Sequence, residues 1–396
     1  VIGGVSTKTL NGNEAYTLTG TASVNASDIH TLKNTLDAVA SSNSVPTGVI
    51  DANVVTTLTG TAQDISAVYE AGLTSKISNL GNEALIVNDS GGIHVADAIM
   101  LDDYTSGVIT ATIRETDMST LNTLTDDGGN NLYTISVTGS ADAGELNTLE
   151  TRTAAATTAT GSAKLTLTGL TTLTGTSAEI EALYTLHDEA KVNIATDVAV
   201  TINNTDVTVA QANIIATQTT GAVTATIREG DVSTLLTLGN NSESGHAYAI
   251  TITDTAITSA NLETLDGITT TTVTIPTNAT ITGTIDSIAN VRNSTETVSG
   301  SSNKTFKTSA ANDLSSTAFT VTDTGVGDSD FLANLKALDD FTDGAITASS
   351  ATTFSGTASD ASAVYSSSGI TGLGGANETI TISSATSSAA DLNTIN

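Results

Sequence analysis

Variants of one short segment recur from one end of this 396-residue chain to the other, and no other feature narrows the possible folds so far. In its clearest copy, Ala249–Thr272 (AITITDTAITSANLETLDGITTTT), Ile250 and Ile252 alternate with Thr251 and Thr253, the period of a half-buried strand of β-branched residues. A short helix is expected to follow. Thr258 or Ser259 caps its start, Leu262 and Leu265 lie three apart on one face, and Gly267 takes the left-handed conformation that ends it. One such unit cannot bury its apolar face alone, whereas a stack of them can.

The copies differ in how they enter the helix. SDIHTLKNTLDAVA, Ser27 to Ala40, puts Ile29, Leu32 and Leu36 on one buried stripe. In TLTGTAQDISAVY, Thr61 and Asp64 have the spacing of a capping box, and Ile65, Val68 and Tyr69 face inward; TLTGTSAEIEALY repeats the box with Thr176 and Glu179, and FSGTASDASAVY with Thr357 and Asp360. GVITATIRETDMSTL, from Gly107, returns almost letter for letter as GAVTATIREGDVSTL, from Gly221. The echoes set a larger period of about 114 residues holding roughly four short units. The chain therefore reads as one continuous array over 1–396, with larger repeats near 54–168, 169–277 and 278–396 and a first unit or cap over 1–53. Polar loops are expected at Asp126–Asn131 and Asn240–Gly245, in equivalent places, and the most irregular segment at Glu296–Ser316.

Units of about 24 to 30 residues with one strong strand and one helix predict an α/β repeat fold, an elongated solenoid of stacked parallel strands and short capped helices. Strands stack every 4.8 Å or so, while helix axes need about 8 to 10 Å. Either the stack curves with its helices outside, or each helix is matched by two strands; the TLTGT segments lean toward the second. Isolated units should be unstable, because a handful of buried aliphatic side chains barely offsets the entropy of ordering each one.

Composition closes off several function classes. Two prolines, no cysteine, no tryptophan and 3% aromatics rule out a disulfide scaffold and argue against a conventional globular core with large aromatic anchors. Twelve Lys and Arg against 42 Asp and Glu give a formal charge of -30, which repels nucleic acid and anionic membrane surfaces, suits high salt and attracts divalent cations. No apolar run is long enough to insert into a membrane. The start, VIGGVSTKTL, has neither an initiator methionine nor the pattern of a signal peptide, so the chain reads as a processed form or a segment. Charge and lack of cysteine together predict an exported protein.

The residues that carry chemistry elsewhere are scattered here. His30, His94, His187 and His246 have no metal-site spacing and are read as loop or surface residues. The pairs Asp102–Asp103, Asp126–Asp127 and Asp339–Asp340 are candidate calcium ligands or, more simply, solvated loop charge; catalysis by them is the least favoured reading. Arg114 and Arg228 hold corresponding positions in two larger repeats, each followed by Glu and then by Asp117 or Asp231. Ion pairing that fastens one layer to the next is the reading preferred over substrate binding. The abundant threonines are explained by strand propensity before any flat, ladder-bearing face.

The segments LTGTAQDISAVYEAG, ISNLGNEALIV and SGITGLGGANETITIS, with repeated LNTL or LETLDG, resemble repeats of very large secreted or cell-surface proteins of cyanobacteria labelled hemolysin-type or calcium-binding. The resemblance covers nearly the whole chain and implies export and surface display. Calcium binding in that family belongs to a glycine-rich nonapeptide that this stretch lacks. The sequence thus predicts a non-enzymatic extracellular structural protein that assembles with its own copies into a surface filament or layer, with no certain cofactor and calcium as a possible one. The alternative is an adhesin or fibre-like module that recognises surface glycans.

Overall fold

A computed structural model of the chain describes residues 11–19, 22–125, 131–153, 165–240, 245–293, 306–308, 314–375, 378–383 and 387–395. The class is mixed α/β, with several sheets of parallel strands and thirteen helices among the described residues, where no barrel closes. The chain divides into two compact units, 1–198 and 199–396.

In the first unit, each of the three opening copies contributes one strand to each of two sheets. Tyr16–Thr17, Ile50–Asp51 and Ile77–Ser78 pair in parallel, as do Ser23–Asn25, Thr57–Gly60 and Ala84–Val87; the second sheet then continues through Ile109–Thr112, Leu132–Asp142 and Leu165–Gly175. Both strands of a copy thus lie in different sheets, so they do not add up to two strands per helix within one sheet. Helix length is what varies: Met118–Leu121 is a single turn, and so is its echo in the second unit, Val232–Leu235.

The second unit shows most plainly why this composition folds this way. Across Ala256–Thr258, Thr280–Gly283, Ala318–Val321, Ile346–Thr347 and Ile370–Thr371 the register aligns Ile257, Ile281, Phe319, Ile346 and Ile370 in one row, all buried. One residue on, Thr258, Thr282, Thr320, Thr347 and Thr371 form a second row, exposed or half-exposed. Alternation with period two sends one row into the core and the other to the outer face. The row is not carried through the molecule, since in the first unit Ile86 stands between Thr59 and Thr110 in register.

Glycine before threonine has a geometric cause. Gly60, Gly175 and Gly356 have φ of 152°, 152° and 158°, and a Cβ on them would lie 3.3, 3.0 and 3.0 Å from the Cβ atoms of Ala26, Ala143 and Leu332 on the preceding helix. A side chain there would meet both an unfavourable backbone angle and a packed neighbour. The threonine that follows caps the next helix.

In the copy Ala249–Thr272 the strand stops at Ala249, although Thr251 still bridges to Thr274, and Ile250 and Ile252 are each 1% exposed. The helix is Ser259–Ile268, with Thr258 accepting from Asn261 N–H. Gly267 does not end it. Ile268 lies three residues beyond Leu265 on the same face and is buried, so the helix runs through the glycine and stops at Thr269 in extended conformation. The first helix spans Ala26–Ser42 rather than Ser27 to Ala40; Ile29 and Leu36 are buried, and Leu32 is only half-buried.

Candidate functional site

The recurring site of this molecule is the start of the helix. Several helices begin with their own side-chain cap. Thr61 accepts from Asp64 N–H and donates to the Asp64 carboxylate at 2.9 Å; Thr176 and Glu179 cap each other reciprocally; Thr357 does with Asp360 what Thr61 does with Asp64, at 2.6 Å. Asp117 and Asp231 serve the one-turn helices, accepting from Thr120 and Thr234 N–H at 2.9 Å each. Such a cap leaves the first helical N–H to find another acceptor.

Five helices find it on the next copy of the repeat. Ala62 N–H donates to Asp89 Oδ2 at 2.7 Å and Val95 N–H to Glu115 Oε2 at 3.1 Å in the first unit. In the second, Val209 N–H donates to Glu229 Oε2 at 3.0 Å, Val232 N–H to Asp254 Oδ2 at 2.7 Å and Ile285 N–H to Asp323 Oδ2 at 2.6 Å. The register is common to all five. The residue before the cap faces an Ile or Val of the next strand: Gly60 faces Val87, Ile93 faces Ile113, Val207 faces Ile227 and Gly283 faces Val321, while Gly230 accepts from Thr253 N–H beside Ile252. Two residues past that Ile or Val comes the acid. A carboxylate at a helix start meets both an unpaired donor and the positive end of the helix dipole, so each contact clasps one copy to the next.

The arginines do not make this clasp. Arg228 pairs with the adjacent Glu229 at 3.4 Å and leaves 59% of its side chain exposed, and Arg114 reaches the His94 ring at 3.3 Å. The fastening atoms belong to the glutamate that follows each arginine. Burial works to raise the Glu115 carboxyl, but hydrogen bonds from the His94 ring and from backbone N–H groups, Val95 among them, outweigh it and hold the group below the ordinary carboxylate range. Asp323 goes the other way: burial raises it, against the pull of Ile285 N–H, and Asp328 and Asp286 add to the rise.

Of the acidic pairs, two are described, and three of their four acids lie in helices. Asp102 is the last residue of the helix Val95–Asp102, and Asp339 and Asp340 lie inside Phe331–Phe341. The first acid of each described pair is bonded to a later copy: Asp102 accepts from Asn131 Nδ2 at 2.7 Å, and Asp339 from Ser367 Oγ at 2.8 Å. Of the second acids, Asp103 is exposed and Asp340 is paired with Lys336. Asp126 and Asp127 lie outside the described residues, as do 241–244 of the second polar loop and most of Glu296–Ser316. Among the described residues, no group of three or more His, Asp or Glu is placed to hold a metal ion.

His246 overturns its reading as a surface residue. It is fully buried, its Nδ1 accepts from Val223 N–H at 3.1 Å, and its ring stacks on Tyr248 at 4.9 Å. The accepting nitrogen makes this the neutral Nε2–H tautomer, and burial lowers its pKa. Asn131 fills the same place one larger repeat earlier, its Oδ1 accepting from Ile109 N–H at 2.8 Å. His94 is exposed, His30 half-buried, and His187 bonds to Val192 O at 3.1 Å.

A second contact escaped the sequence reading. Tyr69 donates to the buried Glu83 at 2.7 Å, and Tyr365 donates to Glu378 at 2.6 Å. Each glutamate also accepts a glycine N–H, from Gly81 and Gly374 respectively. Burial, followed by the carboxylate, pushes both phenols well above the ordinary tyrosine range. The signal is in the sequence as a tyrosine followed about fourteen residues later by glutamate in LGNE and LGGANE.

The clasps and the tyrosine–glutamate contacts are all made between groups of the repeat itself. Comparisons with family models, with curated proteins and with solved structures found no match. No helix among the described residues is long and apolar enough to cross a membrane.

Proposed function

We propose that this chain is a non-enzymatic structural protein, an elongated solenoid that works outside the cell and stacks with copies of itself into a surface filament or layer. The observation that carries this reading is the clasp: five helix starts, in both units, take a carboxylate from the following copy in one common register, a design in which each layer is made to meet another layer of the same kind. The repeated clasp supplies a register for such stacking, and the charge of -30 favours solubility and work in salt.

Electron microscopy of the purified protein at micromolar concentration tests this, with and without millimolar calcium. Filaments or sheets with a regular axial repeat are the expected result. Separate particles of the unaltered protein under both conditions would overturn the assembly reading. Loss of order in chelator alone would bring calcium into the contact between copies.

A further inference from the structure

The first unit carries a cleft of about 550 Å³ that the clasps do not use. It lies where the helix Ala62–Leu73 turns back toward the strand Ile77–Ser78, and its far wall is the end of the helix Val95–Asp102. Tyr104 lines it, half-exposed, with its ring stacked on Tyr69 at a centroid separation of 5.2 Å and 17° between planes. Tyr69 is 5% exposed and fixed by Glu83, so Tyr104 rests on a rigid backing. Around it stand Asp103 and Asn79, both exposed. Asn79 has φ of 64°, and its amide N–H bond to Asp51 at 2.7 Å sets the orientation of its amide plane. Among the described residues, neither the Asp103 carboxylate nor the Tyr104 hydroxyl has a hydrogen-bond partner.

The repeat itself shows that the fold does not demand this arrangement. The segment LDDYTSG, Leu101–Gly107, has counterparts in ATQTTG, Ala216–Gly221, and LDDFTDG, Leu338–Gly344. The threonine of the first and third makes the same bond in each, Thr105 donating to Glu83 O and Thr342 to Thr317 O. The residue before it is Tyr104, Gln218 or Phe341. Glutamine serves the fold in the middle copy, and in the third the acid equivalent to Asp103 is occupied by Lys336. Of these three, only the first joins an aromatic ring to a carboxylate without a hydrogen-bond partner among the described residues.

We infer that this cleft is a binding site for a neutral oligosaccharide. A supported aromatic face accepts the apolar C–H face of a sugar ring, while a fixed amide, a carboxylate and serine hydroxyls match its hydroxyl groups as donors and acceptors. The volume falls in the range of small-molecule sites, and the lining contains no Lys or Arg, which excludes anionic sugars. The inference goes beyond assembly: the site is complete within one chain and stands whether or not the protein polymerises.

The test is calorimetric titration of the whole protein with maltotriose, cellotriose and triacetylchitotriose, and with choline as a cationic probe. At least one of the sugars is expected to bind, with a stoichiometry of one per chain. Tyr104→Gln, which installs the residue of the middle copy, should weaken binding about tenfold or more, and Tyr104→Phe should keep it within roughly threefold. Hydrogen exchange in the helix Val95–Asp102 reports whether the variants keep the fold, and Gln is chosen because that repeat position already accepts it. Failure of all three sugars at millimolar concentration, binding unchanged in Tyr104→Gln, or binding of choline in their place would each overturn the inference.

Discussion

Glu115 and Asp323 occupy the same register position, each receiving the first N–H of the preceding helix, yet their surroundings pull their ionisation in opposite directions. Glu115 lies beside the His94 ring, 2.7 Å from its Nδ1, with Arg114 close by. Asp323 lies near Asp286 and Asp328, and its second oxygen is buried without a hydrogen-bond partner among the described residues. The clasp is therefore defined by geometry, an acceptor held opposite a helix start. Electrostatic gain is an addition that one site collects and the other forgoes.

The largest expected difference is in truncation. Glu115→Ala should lower local stability by about 1–2 kcal/mol, read from hydrogen exchange in the helix Val95–Asp102, since it removes a charged acceptor from an otherwise unpaired donor. Asp323→Ala should cost about 1 kcal/mol or less in Ile285–Asn293, because losing the acceptor is offset by releasing a buried carboxylate. A greater loss at Asp323 than at Glu115 would break the comparison.

Acid should separate the two sites next. A group whose folded-state pKa is depressed stabilises the fold above its unfolded pKa, and loses that contribution as pH falls through the folded value; Glu115 is in this class. Asp323 is raised, so between its unfolded and folded pKa the folded form binds the extra proton, and its clasp gains stability as pH falls. Protection of the Val95 amide, corrected for intrinsic exchange, should drop on acidification below the ordinary carboxylate range while that of Ile285 holds or rises.

Smaller effects sharpen the contrast. Asp323→Asn keeps an oxygen for Ile285 N–H without the buried charge and should be neutral or stabilising by about 0.5 kcal/mol, whereas Glu115→Gln should lose about 0.5–1 kcal/mol, both seen in thermal melts. His94→Thr installs the cap that Thr208 provides in the next larger repeat, and should change stability by only a few tenths of a kcal/mol. Its clearer signature is an upward shift of the Glu115 carboxyl in an NMR titration, as the bond from the ring is lost.

The caps at Thr61, Thr176 and Thr357 were legible because both partners lie within one turn of the chain. The clasps were not, because their partners are separated by 27, 20, 20, 22 and 38 residues, with no constant spacing to read. What stays constant is the tripeptide that presents the acid, Ile or Val, any residue, then Asp or Glu: VND, IRE, IRE, ITD and VTD. Reading IRE for its arginine directed attention to the exposed side chain. His246 could be placed only by pairing it with Asn131, since one histidine alone carries no sign of burial. The cleft at Tyr104 was hidden for a related reason: its ring, its backing and its amide come from three segments that only folding brings together.

The clasp also bears on how such a chain can lengthen and shorten. Because a helix is completed by an acid from the following copy, a junction between copies needs only a helix start on one side and the tripeptide on the next strand. Copies gained or lost by whole repeats leave every internal junction intact, since each helix is still followed by a strand that ends in that tripeptide, whereas a gain or loss of part of a repeat orphans a helix start. The tripeptide thus acts as a splice mark in the protein itself, one that lets the array change length by whole copies.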